Sequence, residues 1–340
     1  MCTELMIQSK NKEVVVARTM DFASATGQKY GLFNAGEKIA NPFDETIASS
    51  VTVPFKAKFS DIGFTVLGKH FGARTISDGF NQAGLSLATL WLADTSFDTS
   101  VKCPSDCISG LTLPQLILGT CKTVDDVKAL FKGKRVNLPS EFISNFATIH
   151  LSITEKSGKQ VVVEFETVDG KDGVPVFYEN TVGVLTNAPK FAWHLTNLRN
   201  YVGATEKFNI ESGKILGAKV KTTGFGNNQR GLLADGTPPS RFALTTILKS
   251  LALDYTIPSN AHESMVLADK IISKATVIIG TSANHGTTSP DYDYTQWTVL
   301  KDLTNFKMYQ KSDTDLNYVE LECKPLKLEC NNEEVIALFA

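Results

Sequence analysis

Long apolar runs are missing from this sequence. The longest, such as VTVPF and ATVIIG, are strand-sized, far short of the roughly 20 residues that a membrane-crossing helix needs. A surplus of one charge is missing too: 34 Lys and Arg stand against 36 Asp and Glu, a net charge of −2, which argues against a polyanion partner such as nucleic acid. Histidine is scarce, and His70, His150, His194, His262 and His285 are scattered without ligand spacing. The six cysteines are Cys2, Cys103, Cys107, Cys121, Cys323 and Cys330, too sparse for a disulfide scaffold. Neither CPSDC nor CKPLKLEC has the CxxC spacing and neighbouring histidines of a zinc site. Ordinary thiols, or one local disulfide, are the expectation beyond Cys2.

The familiar cofactor and hydrolase signatures are absent as well. GFGNNQRG carries Gly224 and Gly226 but has Gln229 where a dinucleotide loop needs its third glycine. No GxxxxGK[ST] occurs, HESMV stops short of HExxH, and GLSLA ends in alanine where GxSxG requires glycine. No metal or other cofactor is therefore expected. Glu4 follows MCT and no apolar core develops, which is unlike a secretory leader. The expectation is a cytoplasmic protein, or a periplasmic one if a leader has been removed.

What is present suits a folded core: 42% hydrophobic and 21% charged residues in 340, enough for one domain spanning residues 1–340. MCTELMIQ and EVVVART read as a hairpin around SKNK, and DGFNQAG reads as a turn before the buried strand LSLATLWL. LTLPQLILGTCK has helical spacing, and TVDDVKALFKG opens on a Thr–x–x–Asp cap and closes on Gly133. ATIHLSITE, KQVVVEFETV and VGVLTN read as strands, PSRFALTTILKSLA and SNAHESMVLADKIISKA as helices, and ATVIIGTSAN, TQWTVLKDL and NFKMYQKS as strands again. Strands and helices in blocks, rather than alternating, indicate an α+β fold with antiparallel sheets between helical layers.

The chemistry gathers at Cys2. A thiol at residue 2 has no upstream chain to pack under, and removal of Met1 leaves it beside a free α-amine. Such a residue unites a nucleophile of reference pKa ~8.5 with a base near ~8, and the amine can relay the thiol proton without any histidine. Arg18 follows the apolar run VVVA, so its guanidinium belongs in or beside the core and needs an anionic partner. Asp21 and the Cys2 thiolate are the candidates; the alternative is a strand-end arginine in solvent. Acyl transfer also needs donors for an oxyanion, and Asn187 in TNAPK is either such a donor or a turn residue before Ala-Pro. His194, in WHLTNL, reads as a hydrogen-bonded structural residue.

MCTEL, VARTMDF, DGFNQAGL, GVLTNAPKFAWHLTNLRNY and TPPSRF, in that order from residue 2 to about Tyr309, resemble the choloylglycine hydrolase family. That family comprises conjugated bile salt hydrolases and penicillin V acylases of the N-terminal-nucleophile superfamily. The resemblance implies a four-layer αββα sandwich and hydrolysis of a small-molecule carboxamide, by subunits that form dimers or tetramers. It implies Cys2 as nucleophile and base, Arg18 and Asp21 as the pair holding thiolate and amine, and Asn187 as the side-chain oxyanion donor. Trp91 falls where a backbone N–H serves the same hole, its side chain packed in the core, and Arg241 falls on an arginine that organises the centre. Phe22, in place of a tryptophan common in Gram-negative members, and Trp91 would line the substrate pocket. GLLADGTPPSRF departs from the GLPGD that often precedes the arginine motif. The other functions to weigh are an acyl-homoserine lactone acylase and a non-catalytic binding protein on the same fold.

Overall fold

The computed structural model describes residues 1–23, 29–36, 38–39, 55–65, 76–102, 104–140, 148–207, 213–222, 224–283, 292–321 and 323. His70, His285, Cys103 and Cys330 lie outside these residues, as does most of VTVPF.

The sequence starts with the expected hairpin, β1 (Cys2–Gln8) against β2 (Val14–Phe22), and Lys12 in the turn takes a left-handed backbone with φ 66°. β3 (Lys29–Phe33), β4 (Asp61–Thr65), β5 (Ile76–Asn81), β6 (Leu85–Trp91), β7 (Ile149–Glu155), β8 (Gln160–Val168) and β9 (Lys171–Glu179) follow. They form an antiparallel sheet in the order β9-β8-β7-β6-β5-β4-β3. The other sheet adds β10 (Val184–Leu185), β11 (Tyr294–Asp302), β12 (Lys307–Ser312) and β13 (Val319–Leu321) to the hairpin, in the order β10-β1-β2-β11-β12-β13.

Period-two alternation sends successive side chains of each strand into different layers. Leu85, Leu87, Leu151, Ile153, Val161 and Val163 pack outward against α1 (Leu113–Thr120) and α2 (Val124–Leu130). Ala88, Leu90 and Val162, from the same strands, join the core shared with the first sheet. On the far side, α4 (Pro238–Tyr255) and α5 (Ala261–Ile272) cover the first sheet, with Phe242, Ala268 and Ile272 buried against it. A short α3 (Phe191–Asn197) precedes α4. The result is the expected αββα sandwich. Leu113, Ile117 and Leu118 of α1 are fully buried, each stabilising by about 1.5–3 kcal/mol relative to exposure. The Thr123–Asp126 capping box forms as expected, and Pro238 occupies the first turn of α4.

Two expectations are corrected, and one strand was not foreseen. DGFNQAG is not all turn: Asp78 to Asn81 belong to β5, and only the next few residues reverse the chain. Gly79 is there for close approach, since it pairs with Gly63 and a Cβ on it would lie 2.4 Å from Ile62 O. Among its described residues ATVIIGTSAN forms no strand beyond an isolated bridge from Ala283 to Tyr292; Ser273–Ala275 is a 3₁₀ turn, and Ile278 and Ile279 are exposed. KDGVPVFYE, not foreseen, forms β9.

Candidate active site

Cys2 heads β1 opposite Met20 of β2, in the middle of the first sheet. The thiol is buried, which corrects the expectation of a residue with nothing to pack under. Alternation splits the surrounding side chains between two faces. Glu4, Arg18 and Met20 face the second sheet with the Cys2 sulfur, whereas Thr3, Thr19 and Asp21 face α4.

Arg18 is fully buried on the inner face. Its Nη2 donates to Thr89 O at 2.6 Å and lies 3.4 Å from Cys2 Sγ, and its Nη1 donates to Ser77 O at 2.8 Å and to Asp78 Oδ2 at 3.2 Å. Burial opposes the charge, but Cys2 and Asp78 outweigh it and hold the guanidinium more firmly protonated than usual. The solvent-facing alternative for Arg18 is therefore excluded. Its supposed pairing with Asp21 is also wrong, because residues three apart on a strand point to opposite faces.

Asp21 finds its partners on the outer face. Its carboxylate accepts from Thr295 Oγ1 at 2.6 Å and from Thr19 Oγ1 at 3.3 Å, and lies 3.7 Å from Arg241 Nη1. Burial works against both charges of this pair, raising Asp21 and lowering Arg241. Arg241, in the first turn of α4, reaches through to the first strand. Its Nη1 donates to Cys2 O at 2.7 Å and to Thr3 Oγ1, and its Nη2 donates to Asn187 Oδ1 at 2.9 Å. Two arginines thus approach Cys2 from opposite faces of the sheet, one at the sulfur and one at the carbonyl.

The amide of Asn187 has one possible orientation, because Arg241 can only donate. Its Oδ1 also accepts the Cys2 N–H at 2.7 Å, which leaves Nδ2 to donate to Trp91 O at 2.8 Å with one further N–H to spare. Just beyond the ends of β6 and β7, the Leu92 N–H donates to Thr148 O. By alternation the Trp91 N–H and C=O turn to the opposite edge, the one that Asn187 occupies. The Trp91 side chain is 43% exposed. It shares the outward face of Leu85 and Leu87 but stands at the end of the strand, so the expectation of a core aromatic is corrected. Phe22, at the end of β2, is half-buried beside Asp21.

Met1 lies alongside the end of β2. Its amine donates to Asp21 O, and its carbonyl accepts the Asp21 N–H at 2.8 Å. Two histidines anchor the Asn187 segment from behind: His150 Nε2 donates to Thr186 O and His194 Nε2 to Asn187 O, both at 2.8 Å. His194 stacks on Phe242, and burial holds its imidazole down to about 4, so it is neutral at physiological pH.

Six of the expected residues converge here: Cys2, Arg18, Asp21, Asn187 and Arg241 through side chains, and Trp91 through its backbone; Phe22 stands next to Asp21 at the end of β2. Sequence reasoning missed Asp78, Lys301, Glu4, Thr3 and Thr295. Asp78 was hidden by the turn reading of DGF, but a lysine inside the strand TQWTVLKDL was a legible sign of a buried cation. Among the described residues there is no cluster of His, Cys, Asp or Glu able to hold a metal, and no helix long and apolar enough to cross a membrane.

Comparison with known proteins gives a consistent answer. The family described as linear amide C-N hydrolases, choloylglycine hydrolase family, matches residues 2–336. The chain is 27% identical over 345 residues to a bile salt hydrolase/transferase of Clostridium perfringens, covering 96% of each. It is 30% identical over 301 residues to a conjugated bile acid hydrolase of Lactobacillus gasseri, covering 84% of each. A solved cysteine-to-alanine mutant of the conjugated bile acid hydrolase from Clostridium perfringens has the same fold, with a TM-score of 0.82 and 22% identity over 97% of this chain and 95% of that one.

Proposed function

Because this chain belongs to the choloylglycine hydrolase family of linear amide C-N hydrolases, we propose that it cleaves a conjugated bile salt or a penicillin V-type amide with Cys2 as nucleophile. Removal of Met1 converts the Cys2 N–H into an amine, which takes the thiol proton. The sulfur attacks the amide carbon, the C–S bond forms, and the carbonyl π pair moves to oxygen. Asn187 Nδ2–H and the Trp91 N–H donate to that oxyanion. As the tetrahedral centre collapses, the C–N bond breaks and the ammonium of Cys2 returns the proton to the departing amine. Water, deprotonated by the same amine, then cleaves the thioester to release the acid and restore the thiol.

The observation that carries this reading is the Arg18 guanidinium 3.4 Å from Cys2 Sγ, with the nitrogen of the same residue held 2.7 Å from Asn187 Oδ1. A cation against the sulfur favours the thiolate. A hydrogen-bond acceptor on the nitrogen fixes where the future amine stands. Arg241 holds the Cys2 carbonyl and Asp21 lies against Arg241, while Phe22 and Trp91 contact the acyl group of the substrate.

The test is turnover of glyco- and tauro-conjugated bile salts, penicillin V and long-chain acyl-homoserine lactones, alongside intact mass. Active protein should lack Met1, and Cys2→Ala should abolish hydrolysis of every substrate. Cys2→Ser should be much slower, since a serine hydroxyl stays protonated at neutral pH. Turnover in Cys2→Ala, or in protein that retains Met1, would overturn the mechanism. Preference for the lactone arm would reassign the substrate class alone.

A further inference from the structure

The cationic character of the space between the sheets does not end at Arg18. Its partner Asp78 offers Oδ2 to Arg18 at 3.2 Å and Oδ1 to the Lys301 ammonium at 2.8 Å, off the hydrogen-bonding direction. Beyond the ammonium, at 4.0 Å, is Glu4 Oε2, and Glu4 Oε1 accepts from Gln160 Nε2. No side chain of the four charged residues is more than 1% exposed. Strand register brings them together. Glu4 and Arg18 are partners across β1 and β2, Arg18 and Val299 across β2 and β11, and Lys301, two residues on from Val299, shares their face.

A lysine is buried in this way only at a cost unless its charge is matched, and here the matching is uneven. Asp78 is shared by two cations. Burial pushes the Glu4 carboxyl above its usual range, with Lys301 pulling the other way. Asp78 lies within 3.2 Å of both Arg18 and Lys301, whereas Glu4 stands off at 4.0 Å from Lys301. The Arg18 charge that the shared Asp78 does not hold has an outlet at Cys2 Sγ, 3.4 Å from Arg18 Nη2. The other charged groups facing Cys2 are Arg241, at its carbonyl, and Asp21, which lies against Arg241 on the opposite face of the sheet.

From this arrangement we propose that Lys301 is a positioning residue for the Cys2 thiolate: by engaging Asp78 it leaves the Arg18 charge available to the sulfur. Without Lys301, Asp78 neutralises Arg18 alone, and a thiolate would bring an uncompensated negative charge into the core. Lys301 touches neither the sulfur nor the substrate, and its effect passes through Asp78 and Arg18. The proposal rests on the reading of Cys2 as nucleophile.

The experiment is the rate of iodoacetamide labelling at Cys2 against pH, located by peptide mass, in the full-length protein and in Lys301→Met and Glu4→Gln. Lys301→Met should raise the midpoint by about one pH unit, so that labelling near neutral pH slows about tenfold. Glu4→Gln removes an acid rather than a cation and should not raise it. An unchanged midpoint in Lys301→Met would overturn the proposal. So would an equal rise in both variants, which signals loosened packing rather than a lost charge. If Lys301→Met does not fold, Glu4→Gln/Lys301→Met removes both members of the pair and carries the same expected rise and the same refuting result. The readout needs no substrate. Turnover surviving in Cys2→Ala would therefore end the nucleophile reading without touching the labelling comparison.

Discussion

Replacing Asn187 by Ala and by Asp separates catalysis from architecture. Asn187 is fully buried and its side chain makes three hydrogen bonds: Oδ1 accepts from Cys2 N at 2.7 Å and from Arg241 Nη2 at 2.9 Å, and Nδ2 donates to Trp91 O at 2.8 Å. Alanine removes the charged bond, worth roughly 1.5–3 kcal/mol, and two neutral ones, each about 1 kcal/mol. A destabilisation of about 3.5–5 kcal/mol is expected, no more than the lower end of the ~5–15 kcal/mol of a typical fold. Loss of one oxyanion donor should lower kcat by about 10²–10³ with a smaller effect on KM. Aspartate keeps an acceptor for Arg241 and for the Cys2 amine, so most of the stability should return. It has no N–H to offer, so kcat should stay low. Urea unfolding and steady-state hydrolysis of the preferred amide measure the two quantities separately. Wild-type kcat in Asn187→Asp would refute the oxyanion assignment, as would a raised KM with unchanged kcat in Asn187→Ala.

Arg18→Ala should shift the pH midpoint of Cys2 alkylation upward, and Arg18→Lys should rescue little, because one ammonium cannot serve the sulfur, Asp78 and two carbonyls together; an unchanged midpoint would show that the arginine does not tune the thiol. Trp91→Ala removes a side chain that is 43% exposed and keeps the backbone N–H. Its stability should change by no more than about 0.5 kcal/mol, while KM rises and kcat largely survives; a loss of kcat as large as that of Asn187→Ala would contradict the backbone role. His194 is held down to about 4 in the folded protein against 6.5 when free. The unfolded chain therefore binds this proton first, and the stability linked to it is complete above about 6.5 and lost as the pH falls through about 4. His194→Gln should flatten this limb of the acid-unfolding curve, and an unaltered limb would assign acid sensitivity elsewhere.

The sequence by itself determined the layers and pointed to several of the residues that the fold gathers around Cys2. Periodicities of two and of about 3.6 are local properties, so the β1–β2 hairpin, α1, α2, α4 and α5 were legible before any tertiary contact was known. The cap at Thr123 and the proline at the start of α4 were legible for the same reason. Cys2, Arg18, Asp21, Asn187 and Arg241 were legible because their motifs keep a recognisable order along the chain. Faces and partners were not. Arg18 and Asp21, three residues apart, looked like a pair, yet the pleat separates them, and each takes its partner from another element, Asp78 from β5 and Arg241 from α4. The Gly63–Gly79 approach disguised a strand as a turn, and the turn reading concealed Asp78. Lys301 stands 283 positions from Arg18 (301 minus 18) and shares its face only through the β2–β11 register. Pairing across a sheet is a long-range choice made by packing, and it decided which charges meet around the sulfur.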